Sequence, residues 1–207
     1  SSGLAAMSTG NTVASFTPTP GLAFGSTFQL RVTTAAEDAQ GAPLAAAYTT
    51  PLGFATRYGV NGAEVVISQV YGGGGSAGAP LSHDFVELHN RSAGPVGLDG
   101  WSLQYAAAGG GTWTTTALSG SIPAGGFYLI QLASGGPDGA ALPPADAFGL
   151  SNMSATAGKV ALVASDTALL GVCPLGPTVI DLAGYGAASC FETSPTPALS
   201  VTTAASR

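Results

Sequence analysis

Short runs of apolar residues at every second position, cut by Gly and Pro, constrain this chain more than any other feature. Phe28, Leu30 and Val32 alternate with Gln29, Arg31 and Thr33, which puts one set on each face of an extended strand. No stretch sustains the 3.6-residue period of an amphipathic helix, so helices are expected to be few or absent. The pattern predicts strands over Thr12–Phe16, Thr27–Thr34, Tyr48–Ala55, Val65–Tyr71, Phe85–Asn90, Trp101–Ala106, Thr112–Thr115, Phe127–Leu132, Val160–Ala164 and Val179–Tyr185. Turn signals at Pro18, Pro20 and Gly21, Gly72–Gly75, Gly94–Pro95, Pro123–Gly126 and Gly135–Gly139 separate them. Many short strands with frequent breaks predict an all-β sandwich or barrel.

Composition narrows the partners. The 207 residues allow one large or two small domains, and 45% hydrophobic content is enough for a core. Only 8% of residues are charged, against about 25% in ordinary soluble proteins. Five Lys and Arg against eleven Asp and Glu give a net charge of −6. Such a chain has no basic footprint for a nucleic-acid backbone or an anionic lipid surface. The longest apolar runs, Val160–Val163 and Phe127–Ile130, fall far short of the roughly 20 residues a membrane-spanning helix needs. No export signal opens the sequence, so one is expected to have been removed or to lie on a longer precursor. Cys173 and Cys190 flank an apolar run and read as a disulfide, with two buried thiols as the alternative. A bridge places the chain in an oxidising compartment, secreted or at a cell surface. The single lysine, Lys159, agrees with an exposed surface that offers few trypsin-type cleavage sites.

A boundary is expected at Arg57–Gly62, where Asn61-Gly62 signals a turn. It divides the chain into modules 1–60 and 61–207. The first has three candidate strands, too few for a two-sheet core of its own. Phe16-Thr17-Pro18, Pro20, Gly25-Ser26-Thr27-Phe28 and Asp38-Ala39-Gln40-Gly41-Ala42-Pro43-Leu44 resemble the second half of a bacterial Ig-like domain of the SbsA type, over about residues 10–56. The second module carries a more extensive resemblance. Ile67-Ser68, Val70-Tyr71 and Gly72–Gly75, Asp84-Phe85-Val86-Glu87-Leu88-His89-Asn90, Val96–Gln104, Ile122–Ile130, Gly158–Val163, Cys173 and Val179–Glu192 are similar to the lamin-tail domain of secreted bacterial proteins, over about 63–200. The resemblance implies an immunoglobulin-like β-sandwich and a core role for Trp101. Relatives generally run on to a last acidic strand, so a terminal strand is expected to be missing after SVTTAASR.

Few residues suggest chemistry. Gly72–Gly75 lack the Lys, the Ser or Thr and the helix of a phosphate-binding loop. They are expected to form a hairpin loop in which positive φ lets the chain leave its strand. His83, Glu87 and His89 could share a strand face and hold zinc, with Asp84 beside them. The structural alternative has Glu87 and Asn90 fixing the turn at Arg91–Gly94. Asp138, Asp146, Asp166 and Asp181 are the loop acids that could take structural calcium, without an EF-hand spacing. No spaced carboxylate pair is present, and two histidines six residues apart make a poor pool of bases for a nucleophile. Trp113, between Gly and Thr, is the candidate for a surface ligand platform, with Trp101, Tyr105 and Tyr128 as further aromatics.

The sequence therefore predicts a non-catalytic extracellular module for cell-surface architecture, adhesion or assembly. Its partners are expected to be proteins or copies of itself joined by β-edge addition, because strand edges have few charges to block pairing. The alternative implied by the resemblance is an accessory domain pair of a larger secreted nuclease or phosphatase, whose catalytic domain lies elsewhere.

Overall fold

The computed structural model describes residues 2–7, 14–19, 27–38, 40–51, 54–55, 64–174, 176–192 and 194–207. Among these every regular element is a strand. The chain divides into two compact units, Ser1–Arg57 and Tyr58–Arg207. The predicted boundary residues Arg57–Gly62 lie outside the described residues.

In the first unit β1 (Ser2–Met7) pairs antiparallel with β2 (Ala14–Thr19). The predicted start of the latter, at Thr12, lies outside the described residues. The two predicted strands that follow are each broken in two. Thus β3 (Thr27–Phe28) pairs with β6 (Phe54–Ala55), and β4 (Arg31–Val32) with β5 (Tyr48–Thr49). Asp38 Oδ1 accepts the N–H groups of Gln40 and Ala42 and closes the intervening turn, where Gly41 has φ 84°.

The second unit holds β7 (Val65–Tyr71), β8 (Phe85–Asn90), β9 (Val96–Gly97), β10 (Ser102–Ala107), β11 (Thr114–Ala117), β12 (Ser121–Ile122), β13 (Phe127–Gln131), β14 (Ala147–Phe148), β15 (Gly158–Val163), β16 (Val179–Tyr185) and β17 (Ala205–Ser206). They form a five-stranded sheet in the order β14-β13-β8-β7-β17 and a four-stranded sheet in the order β11-β10-β15-β16, with a small β12-β9 ribbon. Alternate residues of both sheets meet in one core that includes Val65, Val86, Leu88, Ile130, Leu103, Val160 and Leu162. Fully burying such a side chain contributes about 1.5–3 kcal/mol. The result is an immunoglobulin-like β-sandwich, as the strand pattern predicts.

Two local devices adjust that pattern. In β7 the core residues are Val65, Ile67 and Val70, so strict alternation fails after Ile67. A bulge between Ile67 and Gln69 absorbs the extra residue and returns Val70 to the core side. The glycine run behaves differently from expectation. Only Gly75 has positive φ, at 70°. At Gly72, Gly73 and Gly74 a Cβ would overlap the backbone of Ser154, Val201 and His83 respectively. Close approach of main chain, more than backbone handedness, accounts for glycine there.

The C-terminal segment also departs from expectation. Ala205–Ser206 pairs antiparallel with β7 and occupies the edge of the five-stranded sheet.

Candidate functional site

The predicted metal residues do not converge. Glu87 and His89 project from one face of β8, whereas His83 precedes the strand and its Nδ1 lies 2.9 Å from Ser82 Oγ. Glu87 Oε1 accepts a hydrogen bond from Ser68 Oγ at the β7 bulge, at 2.6 Å. The His89 ring stacks on Phe127, with centroids 4.4 Å apart. Among the described residues no three His, Cys, Asp or Glu side chains are grouped to hold a metal ion. His83, Glu87 and His89, the zinc candidates, each meet a different partner instead: Ser82 next in the chain, Ser68 on β7 and Phe127 on β13. The turn role survives for Asn90 alone. Its Nδ2 donates to Gly94, Ile122 and Pro123 carbonyls, and its Oδ1 accepts from Ser92.

Asp84, beside that group, anchors the glycine loop. Its carboxylate accepts the N–H groups of Gly74 at 2.9 Å and Met153 at 2.7 Å. Burial raises its pKa to about 6, against the pull of those two donors. Of the loop acids, Asp138 accepts the Gly78 N–H and Asp146 the Leu129 N–H. Asp181 is buried between the sheets, where it accepts the Ile67 N–H at the bulge and binds Arg207 through both oxygens at 3.0 Å. Arg207 also reaches Glu192 at 2.9 Å. Burial raises the pKa of Asp181, with Arg207 opposing it.

The outer face of the four-stranded sheet contains a feature the sequence does not announce. β15 is buried along its whole length, because the segment that follows it folds back as a strap over the sheet. Ser102 Oγ donates to Ser165 O, and Gln104 Nε2 donates to Thr167 O while its Oε1 accepts the Leu169 N–H. Trp113 Nε1 donates to Gly171 O, and Lys159 Nζ to Val172 O. Cys173 then bonds to Cys190, 17 residues on. Beneath the strap, Ala106, Trp113, Ala161, Val163, Val179, Leu182 and Cys190 form a second apolar cluster.

Trp113 is thus 4% exposed, and its role as a surface platform is corrected: strap and disulfide cover it. Trp101, expected to be the core tryptophan, is only partly buried against the main core. Lys159, the single lysine, is fully buried. Its ammonium donates to Gly110 O, Val172 O and Ser189 Oγ and lies 5.4 Å from the centroid of the Trp113 ring. Burial lowers its pKa. Cys173 and Cys190 marked the strap at sequence level. Nothing in the flanking residues announced that the one lysine would bond next to both.

A family model for the Lamin Tail Domain matches residues 60–186. The chain belongs to the lamin tail domain family. No curated protein matches it. The family consists of immunoglobulin-like structural and interaction domains and is not a catalytic one. In this lamin-tail chain the match covers the sandwich from the approach to β7 to the end of β16, including the strap and Cys173; Cys190, β17 and the first unit lie outside it.

Proposed function

We propose that this lamin-tail chain is a non-catalytic structural and interaction module of the cell exterior, used in cell-surface architecture, adhesion or assembly. It joins protein partners or copies of itself by adding strands at its sheet edges. One observation carries this reading. The buried polar side chains Asp84, Asn90, Ser102, Gln104, Lys159 and Asp181 each bond to main chain of the same unit. A general base or nucleophile needs a lone pair or proton within reach of a substrate, and here those groups hold loops, strap and bulge in place.

The exterior location is supported by the Cys173–Cys190 bridge, since disulfides persist in oxidising compartments. It is also supported by the resemblance of residues 10–56 to part of an SbsA-type bacterial Ig-like domain. No helix among the described residues is long and apolar enough to cross a membrane. The module uses no cofactor, so its melting temperature is expected to be the same in EDTA and in millimolar calcium. A calcium-dependent rise would instead establish a structural ion.

Sedimentation equilibrium of the intact chain, from micromolar to millimolar concentration, tests assembly. A reversible rise in mass with concentration is expected; a monomer at every concentration would overturn self-association.

A further inference from the structure

The sandwich has four outer edges, and they are not equivalent. β16 is flanked by the segment around Thr196, which exchanges backbone hydrogen bonds with Gly184 and Gly186. β17 is two residues long and adjoins Arg207, which is paired with Asp181 and Glu192. β14 is also two residues long, and it follows Asp146 directly. β11 differs from all three: it is four residues long and reads Thr-Thr-Thr-Ala. No Asp, Glu, Lys, Arg or His occurs between Asp99 and Asp138.

The pairing of β11 with β10 defines which of its backbone groups are free. Leu118 N–H bonds to Trp101 O, and hydrogen-bonded pairs alternate with non-bonded pairs along an antiparallel ladder. Leu103–Thr116 and Tyr105–Thr114 are therefore the bonded pairs of the register. Thr115 and Ala117 turn their N–H and C=O groups away from β10, and both residues are exposed. Among the described residues no strand pairs with that side. Large apolar side chains border it. Leu170, 83% exposed, is bridged to Thr112 just before β11. Phe148 and Leu150, 69% and 95% exposed, flank Gly149, which packs on Thr116. An open edge beside exposed apolar side chains is a recognition surface.

We propose that β11 docks antiparallel on β11 of a second copy of this chain, with Thr115 opposite the partner's Ala117. The two-fold axis passes by Thr116, so each outward residue exchanges both of its backbone hydrogen bonds. The four-stranded sheets then join into one. Charge selects the occupant: with no charged side chain between Asp99 and Asp138, the edge offers a charged partner strand no counter-charge. Two copies of it meet without the like-charge repulsion that other approaches of a chain of net charge −6 would bring. This inference rests on the proposed assembly role and names the edge that performs it.

Sedimentation equilibrium of Ala117→Lys, beside the native chain and a Ser206→Lys control at the β17 edge, tests it. The native chain and the control are expected to dimerise alike, with dissociation constants at least tenfold lower than that of Ala117→Lys, which should remain largely monomeric. Equal dimerisation of all three would overturn the β11 assignment and leave assembly intact. A native chain that stays monomeric would overturn both. Hydrogen exchange on the native chain needs no variant. The amides of Thr115 and Ala117 should gain protection with concentration, and unchanged exchange in a dimerising sample would overturn the assignment.

Discussion

The two faces of β15 are held by different physics. Inward, Val160 and Leu162 enter an apolar core between two sheets, where the energy scales with area and is insensitive to direction. Outward, Lys159, Ala161 and Val163 lie beneath the strap, which is too short to supply a second sheet. That face is closed by directional bonds from Ser102, Gln104, Trp113 and Lys159 and by one disulfide. A sandwich can thus bury both sides of a central strand with only one true core, provided that polar side chains pin the cover.

The sharpest test of the contrast is Leu162→Ala. A fully buried leucine in a two-sheet core should cost about 2–5 kcal/mol in chemical denaturation, with the whole unit unfolding together. A loss below about 1 kcal/mol would mean that the inner core repacks freely.

Replacing both Cys173 and Cys190 by Ser comes next. A closed loop of this length stabilises by roughly 3 kcal/mol in the chain-entropy model. The loss should be accompanied by a red shift of Trp113 emission as the strap loosens. Stability lost without that shift would separate the disulfide from the cover.

Lys159→Met keeps much of the volume beside Trp113 but leaves the Gly110 and Val172 carbonyls without their ammonium donor. Unmet buried acceptors cost roughly 1–3 kcal/mol. No change in stability would show that the ammonium is dispensable and the disulfide alone holds the strap.

The smallest effect is a pH dependence. Burial raises the pKa values of Asp84 and Glu192 to about 6, above the ordinary 3.8 and 4.5. The folded state therefore binds these protons more tightly than the unfolded chain, so stability rises as pH falls through 6 and levels off near 4. Melting temperature should increase by a few degrees between pH 7 and pH 5, and Asp84→Asn should flatten part of that slope. A fall over the same interval would contradict the raised pKa values of both groups.

Much of the fold was legible in the residues. Val65–Tyr71, Phe85–Asn90 and Val179–Tyr185 are strands at their predicted limits, because alternation and turn residues act locally. The two-residue strands β9, β12, β14 and β17 were not legible, since such short pieces exist only through the neighbour they pair with. Of the candidate site, the disulfide was readable from spacing. The exposure of Trp113 was misread because Gly and Thr around it look like surface, and the strap that buries it comes from residues 165–173, more than fifty positions later.

By itself the sequence determined the strand periodicity, the punctuation between strands, the acidic and charge-poor surface and the lamin-tail resemblance. These are properties of neighbouring residues or of totals, and they need no knowledge of the fold. Only the tertiary structure decided which tryptophan is buried, that the sole lysine is an internal anchor, that Gly72–Gly74 answer to close backbone contacts, and which edge remains open at β11. Each depends on segments brought together from distant parts of the chain, and whether a side chain meets water or a carbonyl is settled by those neighbours alone.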